Sequence, residues 1–587
     1  MCGIAGVIGH TTEQEQHQLL QLFEQSLTSR GPDGHGSYID SEVLLFHRRL
    51  SIIGLETGAQ PLKGKSSNSN DDDLILIANG EIYNYIELKK DLPALRTESD
   101  CEVILPLYQK YGLEFISLLR GMYAFALYDQ SNNRVILSRD TYGIKPLYYA
   151  NDDQGRIIFA STMKEIVDSG LVACDIDTKE SKRILHARYS LDENTVFSEI
   201  KRLQPGQTLV FENGKLCQDM TIDALSLHAK QDNFKRDVSH QDLTDSFQDS
   251  MTVHLRADVD IGLFFSGGVD SSIILYWMSK LEKQKKHLFI AGFPESEEHD
   301  ETAKALKIAE NMGCIIHRIP FTEEDFWHYL PLVTREFDDP VIDPAALATY
   351  KLAETANKHV KVVLCGEGGD EFFSGYRRHQ KAGLLGGVLQ SKHSNKGLFR
   401  NKLNFIDDND DWHAPINRKY QELNKLPYSK MQKMQLVDAC FWLPNDLLTK
   451  LDRCSMAFGL EGRTPFVDQV MSPYMWSIKD GLKVNFKVAK LMIRKWLKDV
   501  FPESEPFAKK QGFKLPIYQW LSGRRQYLLE YLPKHPAFAE IAKAEDIQKL
   551  IEDMDKSEAH AVYALLYYAH WFEQYGNRSQ RDSIASV

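Results

Sequence analysis

The sequence predicts two unlike domains: an α+β N-terminal domain of stacked, mainly antiparallel sheets, then an α/β domain with an open, mostly parallel sheet. Three observations predict this. Up to about residue 210, short β-like runs succeed one another with few helices suited to a parallel crossover. From about residue 240, strand-like and helix-like segments alternate. Between them, Lys230-Gln231-Asp232-Asn233-Phe234-Lys235-Arg236 has the polar composition of a connection. The expected domains are therefore 1–210 and 241–575, with 211–240 as linker and 576–587 as a disordered tail.

At 587 residues the chain can bury two cores, and its net charge of −12 gives no sign of a nucleic-acid or anionic-membrane surface. Eight cysteines stand at 2, 101, 174, 217, 314, 365, 440 and 454 without a Cys-x-x-Cys pair. That argues against a disulfide framework or a zinc site and fits a reducing, cytoplasmic setting. No apolar run is long enough to span a membrane, and no basic region followed by a hydrophobic stretch opens the chain.

Taken in order, the first element is a strand entered from Cys2-Gly3-Ile4-Ala5-Gly6. Once Met1 is removed, Cys2 carries its own α-amine, which titrates at about 7.7–8.0 against about 8.5 for a thiol. One residue then supplies both nucleophile and base, although a small buried core cysteine gives the same local pattern. A helix is expected over 13–28, followed by the turn Arg30-Gly31-Pro32-Asp33. The strand 43–46 ends in His47-Arg48-Arg49, where a guanidinium can clamp a carboxylate in two-pronged fashion. The strand 74–78 runs into Asn79-Gly80-Glu81. An amide side chain beside a bare glycine N–H can serve a developing oxyanion, and Asn-Gly is equally a common turn. Ser99-Asp100 offers a carboxylate for an ammonium, and a helix over 101–119 precedes strands at 122–128 and 134–138.

In this order, behind a cysteine at position two, these segments resemble a class II glutamine amidotransferase domain with an Ntn-hydrolase-like fold. The resemblance implies that Cys2 attacks the side-chain amide of glutamine. It further implies an oxyanion hole from Asn79 and Gly80, with Arg49 on the α-carboxylate and Glu81 and Asp100 on the α-amino group. Many such domains have His where Ser29 stands here, so the cover over the pocket is expected to close differently.

In the second half a helix over 240–256 leads to the strand 259–265, then to Ser266-Gly267-Gly268-Val269-Asp270-Ser271-Ser272 and a helix. Strand, glycine turn and helix N-terminus make a phosphate cradle. It has no Gly-x-x-x-x-Gly-Lys and instead resembles the pyrophosphate loop of ATP pyrophosphatases. Further strands are expected at 287–293, 314–319 and 360–364, with a helix opening at Asp300. The last strand ends in Cys365-Gly366-Glu367-Gly368-Gly369-Asp370, an acidic turn able to face the first loop. Gly366 would then border the nucleotide, Asp270 and Asp370 would share Mg²⁺, and Glu367 would handle a proton, unless these acids are merely surface.

Asp452-Arg453 through Thr464-Pro465-Phe466-Val467-Asp468, and Lys509-Lys510-Gln511-Gly512-Phe513, complete a resemblance to the glutamine-hydrolysing asparagine synthetase family over nearly the whole chain. It implies ATP as substrate and Lys510 as a stabiliser of the phosphates and intermediate. It also implies an acyl-adenylate, release of AMP and pyrophosphate, and an internal passage for ammonia. A homodimer is the assembly considered.

The implied acceptor is aspartate. Where bacterial members carry a Thr-Thr-Ile-Arg run, however, this sequence reads Pro340-Val341-Ile342-Asp343-Pro344-Ala345-Ala346-Leu347, without arginine. Arg377 and Arg378 are the candidate substitutes. A sugar uronic acid of surface polysaccharide is the alternative acceptor, and a catalytically silent homologue or a sugar-phosphate aminotransferase the remoter readings. The stretch 383–412 reads as a loop or insertion.

Overall fold

A computed structural model describes residues 2–66, 71–230, 235–294, 302–384, 397–399, 412–508 and 515–576. The first domain holds β1 (Gly3–Ile8), β2 (Gly34–Ile39), β3 (Val43–Arg49), β4 (Leu62–Gly64), β5 (Leu74–Ile82) and β6 (Gly121–Asp129). It continues with β7 (Arg134–Arg139), β8 (Tyr148–Asn151), β9 (Ile157–Ala160), β10 (Lys201–Arg202), β11 (Gln207–Glu212) and β12 (Lys215–Thr221). One antiparallel sheet runs β10-β8-β9-β1-β3-β2 and the other β12-β11-β7-β6-β5-β4.

The inner strands β1, β3, β5, β6 and β7 read as largely apolar runs because both faces of each sheet are covered there. On β1, Ile4 and Ile8 join the core between the sheets, while Ala5 and Val7 pack with Leu19 and Phe23 of the helix Glu13–Ser26. On β5, Ile75 and Ile77 face the same inter-sheet core, and Leu74, Leu76 and Ala78 pack beyond it with the helix Ile104–Tyr111. The layers are therefore helix, sheet, sheet, helix. Thr12 and Glu15 close a capping box at the start of the first helix. The helix expected over 101–119 is three pieces, Asp100–Val103, Ile104–Tyr111 and Gly112–Leu118, with Gly112 at φ +55° ending the α-helical part. The stretch expected as linker holds β12 and the helix Ala224–Ala229.

The second domain is built on β13 (Ile261–Phe264), β14 (His287–Gly292), β15 (Ile315–Pro320), β16 (Val362–Leu364) and β17 (Glu461–Arg463). All are parallel, in the order β15-β14-β13-β16-β17. The winding reverses between β13 and β16, which opens a crevice at the carboxyl ends of those two strands. Helices and the loops that connect them make up the rest of this domain's described residues. The last of them, Ala559–Tyr575, lies in one continuous apolar cluster with Ala5 and Phe46 of the first domain. Most of 383–412 lies outside the described residues, although Gly383 ends up inside the helix Arg377–Leu384. None of the cysteines is in a disulfide. Among the described residues, no helix is long and apolar enough to cross a membrane.

His228, on the helix Ala224–Ala229, ties this connection to both domains. Its Nε2 hydrogen-bonds the Tyr142 hydroxyl at 3.2 Å, and its ring lies 4.9 Å from that of Trp476. Burial pushes the imidazole down from 6.5 to about 3. Below pH 6.5 the unfolded chain takes up a proton that the folded one refuses, so stability falls as pH falls. His228→Asn should remove about 2 kcal/mol of the loss between pH 7 and pH 5. Thermal melts of both proteins at the two pH values would measure this; an unchanged acid sensitivity would contradict it.

Candidate active site

Antiparallel pairing sets Gly3 opposite Arg48, which brings Cys2 to the end of β3 beside Arg49 and Leu50. On β5, Ile75 and Ile77 face the other sheet, so the period of two turns Asn79 and Glu81 the same way. Asn79 Oδ1 accepts the Cys2 backbone N–H at 3.0 Å. The amide nitrogen of Asn79 is buried and has no hydrogen-bond partner among the described residues. Gly80 lies against β6, where a Cβ would fall 2.1 Å from the Met122 carbonyl oxygen.

The charges around Cys2 are arranged by the same strands. Burial pushes the thiol up, while the Leu50 N–H and the Arg49 charge pull it down. Glu81 is buried, and burial together with Asp100 and Glu461 raises its carboxyl well above the usual range. Asp100 accepts the Ile82 N–H at 2.6 Å and is likewise raised by burial. Arg49 reaches the carbonyls of Gly54 and Leu55 at 2.6 and 3.0 Å. A thiol, an amide donor lacking a partner, a cation and two acids thus meet at one rim. That set can hold an amino acid by its two charged groups and meet an anion formed at its side chain.

The second constellation fills the crevice, a cleft of about 390 Å³ lined by Ser266, Asp270, Gly366, Glu367, Asp370 and Lys450 among others. Gly267 takes φ +69° in the turn, and Gly268 caps the helix Val269–Leu281 that carries Asp270, Ser271 and Ser272. The two loops meet closely, since a Cβ on Gly369 would fall 2.6 Å from the Asp270 carboxyl carbon. Sequence reasoning missed Lys490. Its ammonium sits 2.6 and 2.7 Å from the Asp270 oxygens and 2.6 Å from Asp370 Oδ1. Two carboxylates already converge on one cation, and hard oxygen donors of this kind fit Mg²⁺.

Sequence reasoning also missed Lys450, 2.8 Å from Asp343 and 3.7 Å from Glu367. These acids hold its buried ammonium protonated against the cost of burial. Neither lysine lies in a local pattern that marks it. Arg378 is engaged elsewhere, paired with Asp438 at 2.8 Å and stacked on Tyr376, and Arg377 is exposed. Lys510 lies outside the described residues.

The stretch Asp452–Asp468 packs on the first domain. Arg30 grips Asp452 through both terminal nitrogens at 2.9 and 3.3 Å, and its Nε donates to the Cys2 carbonyl at 3.4 Å. Arg463 pairs with Glu461 at 2.5 Å, donates to the carbonyls of His254 and Arg256, and lies 3.6 Å from Glu81. Arg120 binds Asp468 at 2.8 and 2.9 Å.

A family model described as asparagine synthase matches residues 242–573, and one described as glutamine amidotransferase domain matches 1–220. Glutamine-hydrolyzing asparagine synthetase 1 of Bacillus subtilis (strain 168) is 32% identical, over 97% of this chain and 96% of its own. A putative glutamine-hydrolyzing asparagine synthetase of Mycobacterium tuberculosis (strain ATCC 25618 / H37Rv) is 29% identical, over 92% and 91%. Asparagine synthetase B of Escherichia coli (strain K12) is 28% identical, over 89% and 83%.

Arg463→Met should leave the buried Glu461 carboxylate without its cation and cost about 3–5 kcal/mol. Adding Glu461→Gln to that variant should recover part of the loss. Denaturant midpoints of the two variants and the parent would test this, and an Arg463→Met midpoint equal to the parent's would contradict it.

Proposed function

This chain belongs to the glutamine-hydrolysing asparagine synthetase family, ATP-dependent ligases that draw amide nitrogen from glutamine, and we propose that it converts aspartate to asparagine through an acyl-adenylate. The observation that carries the reading is the buried Asn79 amide nitrogen, left without a partner beside Cys2. In this reading the Cys2 sulfur attacks the glutamine carboxamide carbon. The Asn79 amide and the Gly80 N–H hold the oxyanion. Arg49 binds the α-carboxylate, and Glu81 and Asp100 bind the α-ammonium. Ammonia leaves, and water releases glutamate from the thioester.

At neutral pH free ammonia is mostly ammonium, which is no nucleophile. Passage through the protein interior therefore preserves the reactive form. In the crevice, Ser266, Gly267, Gly268, Ser271 and Ser272 cradle the ATP phosphates, with Gly366 across from them. The acceptor carboxylate attacks the α-phosphorus, and pyrophosphate departs. Ammonia then attacks the acyl carbon, Glu367 takes the proton it sheds, and AMP leaves. Asp270 and Asp370 would hold Mg²⁺, which when bound neutralises phosphate charge. Lys510 is assigned the remaining charge on pyrophosphate and the intermediate. Of the cleft-lining residues, Lys450 is the cation available to an acceptor carboxylate. Because Pro340–Leu347 carries no arginine, a uronic acid is the second reading for the acceptor.

Cys2→Ala should abolish synthesis with glutamine and leave synthesis with ammonium intact. Asn79→Ala should lower glutamine hydrolysis by about 10²–10³-fold. The acceptor is tested by pyrophosphate release from Mg-ATP and ammonium over a panel of aspartate, glutamate and uronic acids, with mass spectrometry of products. Asparagine and AMP from aspartate are expected. Turnover with a uronic acid alone would overturn the aspartate assignment while keeping the chemistry.

A further inference from the structure

At the amino ends of the parallel strands, away from the crevice, three histidines converge. His287 opens β14, His317 is the third residue of β15, and His359 stands shortly before β16. The pairing of β14 with β15 sets Phe289 beside His317. Alternate strand residues share a face, so His287, Phe289 and His317 project to the same side. The rings of His287 and His317 stack at 5.2 Å, with Nδ1 of the first 3.0 Å from Nε2 of the second. The His359 ring lies 4.1 Å from that of His317. One ring nitrogen from each of the three lies within 4.8 Å of the other two.

The sheet makes room for this cluster. β13 runs between β14 and β16 and presents Gly262 there, where a Cβ would fall 2.7 Å from Phe289 Cε2 and 3.2 Å from Val360 Cγ2. Absence of a side chain on the central strand lets groups from both flanks close over it. A hydrogen-bonded histidine pair needs only two rings. The third brings its nitrogen within 4.8 Å of the other two, on a residue exposed to solvent.

We propose that His287, His317 and His359 form a binding site for a transition-metal ion of the Zn²⁺ class. Imidazole nitrogens suit zinc, nickel or copper, whereas Mg²⁺ takes oxygen ligands, so this site and the Asp270–Asp370 pair select different ions. Zinc–nitrogen bonds of about 2.0–2.1 Å place tetrahedral ligand atoms about 3.3–3.4 Å apart. Rotation of the exposed His359 side chain closes the remaining gap. Three protein ligands leave a fourth position for water. The bound ion clips the edge strand β15 to β14 and to the chain entering β16.

The test is equilibrium dialysis of the full chain against Zn²⁺ in excess Mg²⁺, with metal content counted per chain and thermal melts run alongside. The parent should retain one zinc more than the His287→Asn/His317→Asn/His359→Asn variant and should melt higher with zinc. His317→Asn alone should weaken binding by more than about tenfold. Co²⁺ in place of zinc should give visible absorption of tetrahedral intensity in the parent and not in the triple variant. Equal zinc content in parent and triple variant, or no zinc retained by the parent, would overturn the proposal. Melts without metal separate any loss of folding in the variants from loss of the site.

Discussion

Charge pairs closed off from water at the domain junction are the constraint on which the site at Cys2 depends. Arg30 joins Asp452 to the backbone of Cys2, and Arg463 joins Glu461 to Glu81. In each case a residue of the second domain fixes a group beside the thiol. Pairs of this kind gain little over well-packed apolar residues, because desolvation offsets most of their attraction. What they give here is registration. An apolar junction tolerates sliding, whereas a two-pronged guanidinium and carboxylate meet in one position only. The arrangement around the thiol is therefore complete only when the second domain is seated against the first.

The parts of this arrangement legible in the sequence are those with a local pattern. Strands β3, β5, β6 and β7 show as apolar runs because helices and the facing sheet cover both their sides. Cys2, Asn79 and Gly80 are marked by position and by dipeptide chemistry, and the Ser266–Ser272 loop by its glycines. The structure brings the two acidic loops together, as the acidic glycine turn suggested. Lys450 and Lys490 were illegible, since an isolated lysine reads as a solvated surface residue until distant carboxylates are placed around it. β17 was missed for a related reason. Glu461 and Arg463 are fully buried, and only their mutual pairing makes a charged sequence acceptable as an interior strand. The helix over 101–119 looked continuous because its apolar period persists through the two 3₁₀ pieces that flank it.

Lys490 carries one more implication. A crevice holding two bare carboxylates would repel a triphosphate as it approached. With the ammonium seated between Asp270 and Asp370, the resting pair presents one net negative charge instead of two, and Lys450 nearby offsets one of the two charges of Asp343 and Glu367. The crevice is thus electrically tempered before anything enters it. A polyanion arriving there finds its acids already screened from within, and a divalent ion arriving with it competes for oxygens that a tethered cation already holds. Recognition in such a cleft is an exchange of cations rather than the filling of a negative hole.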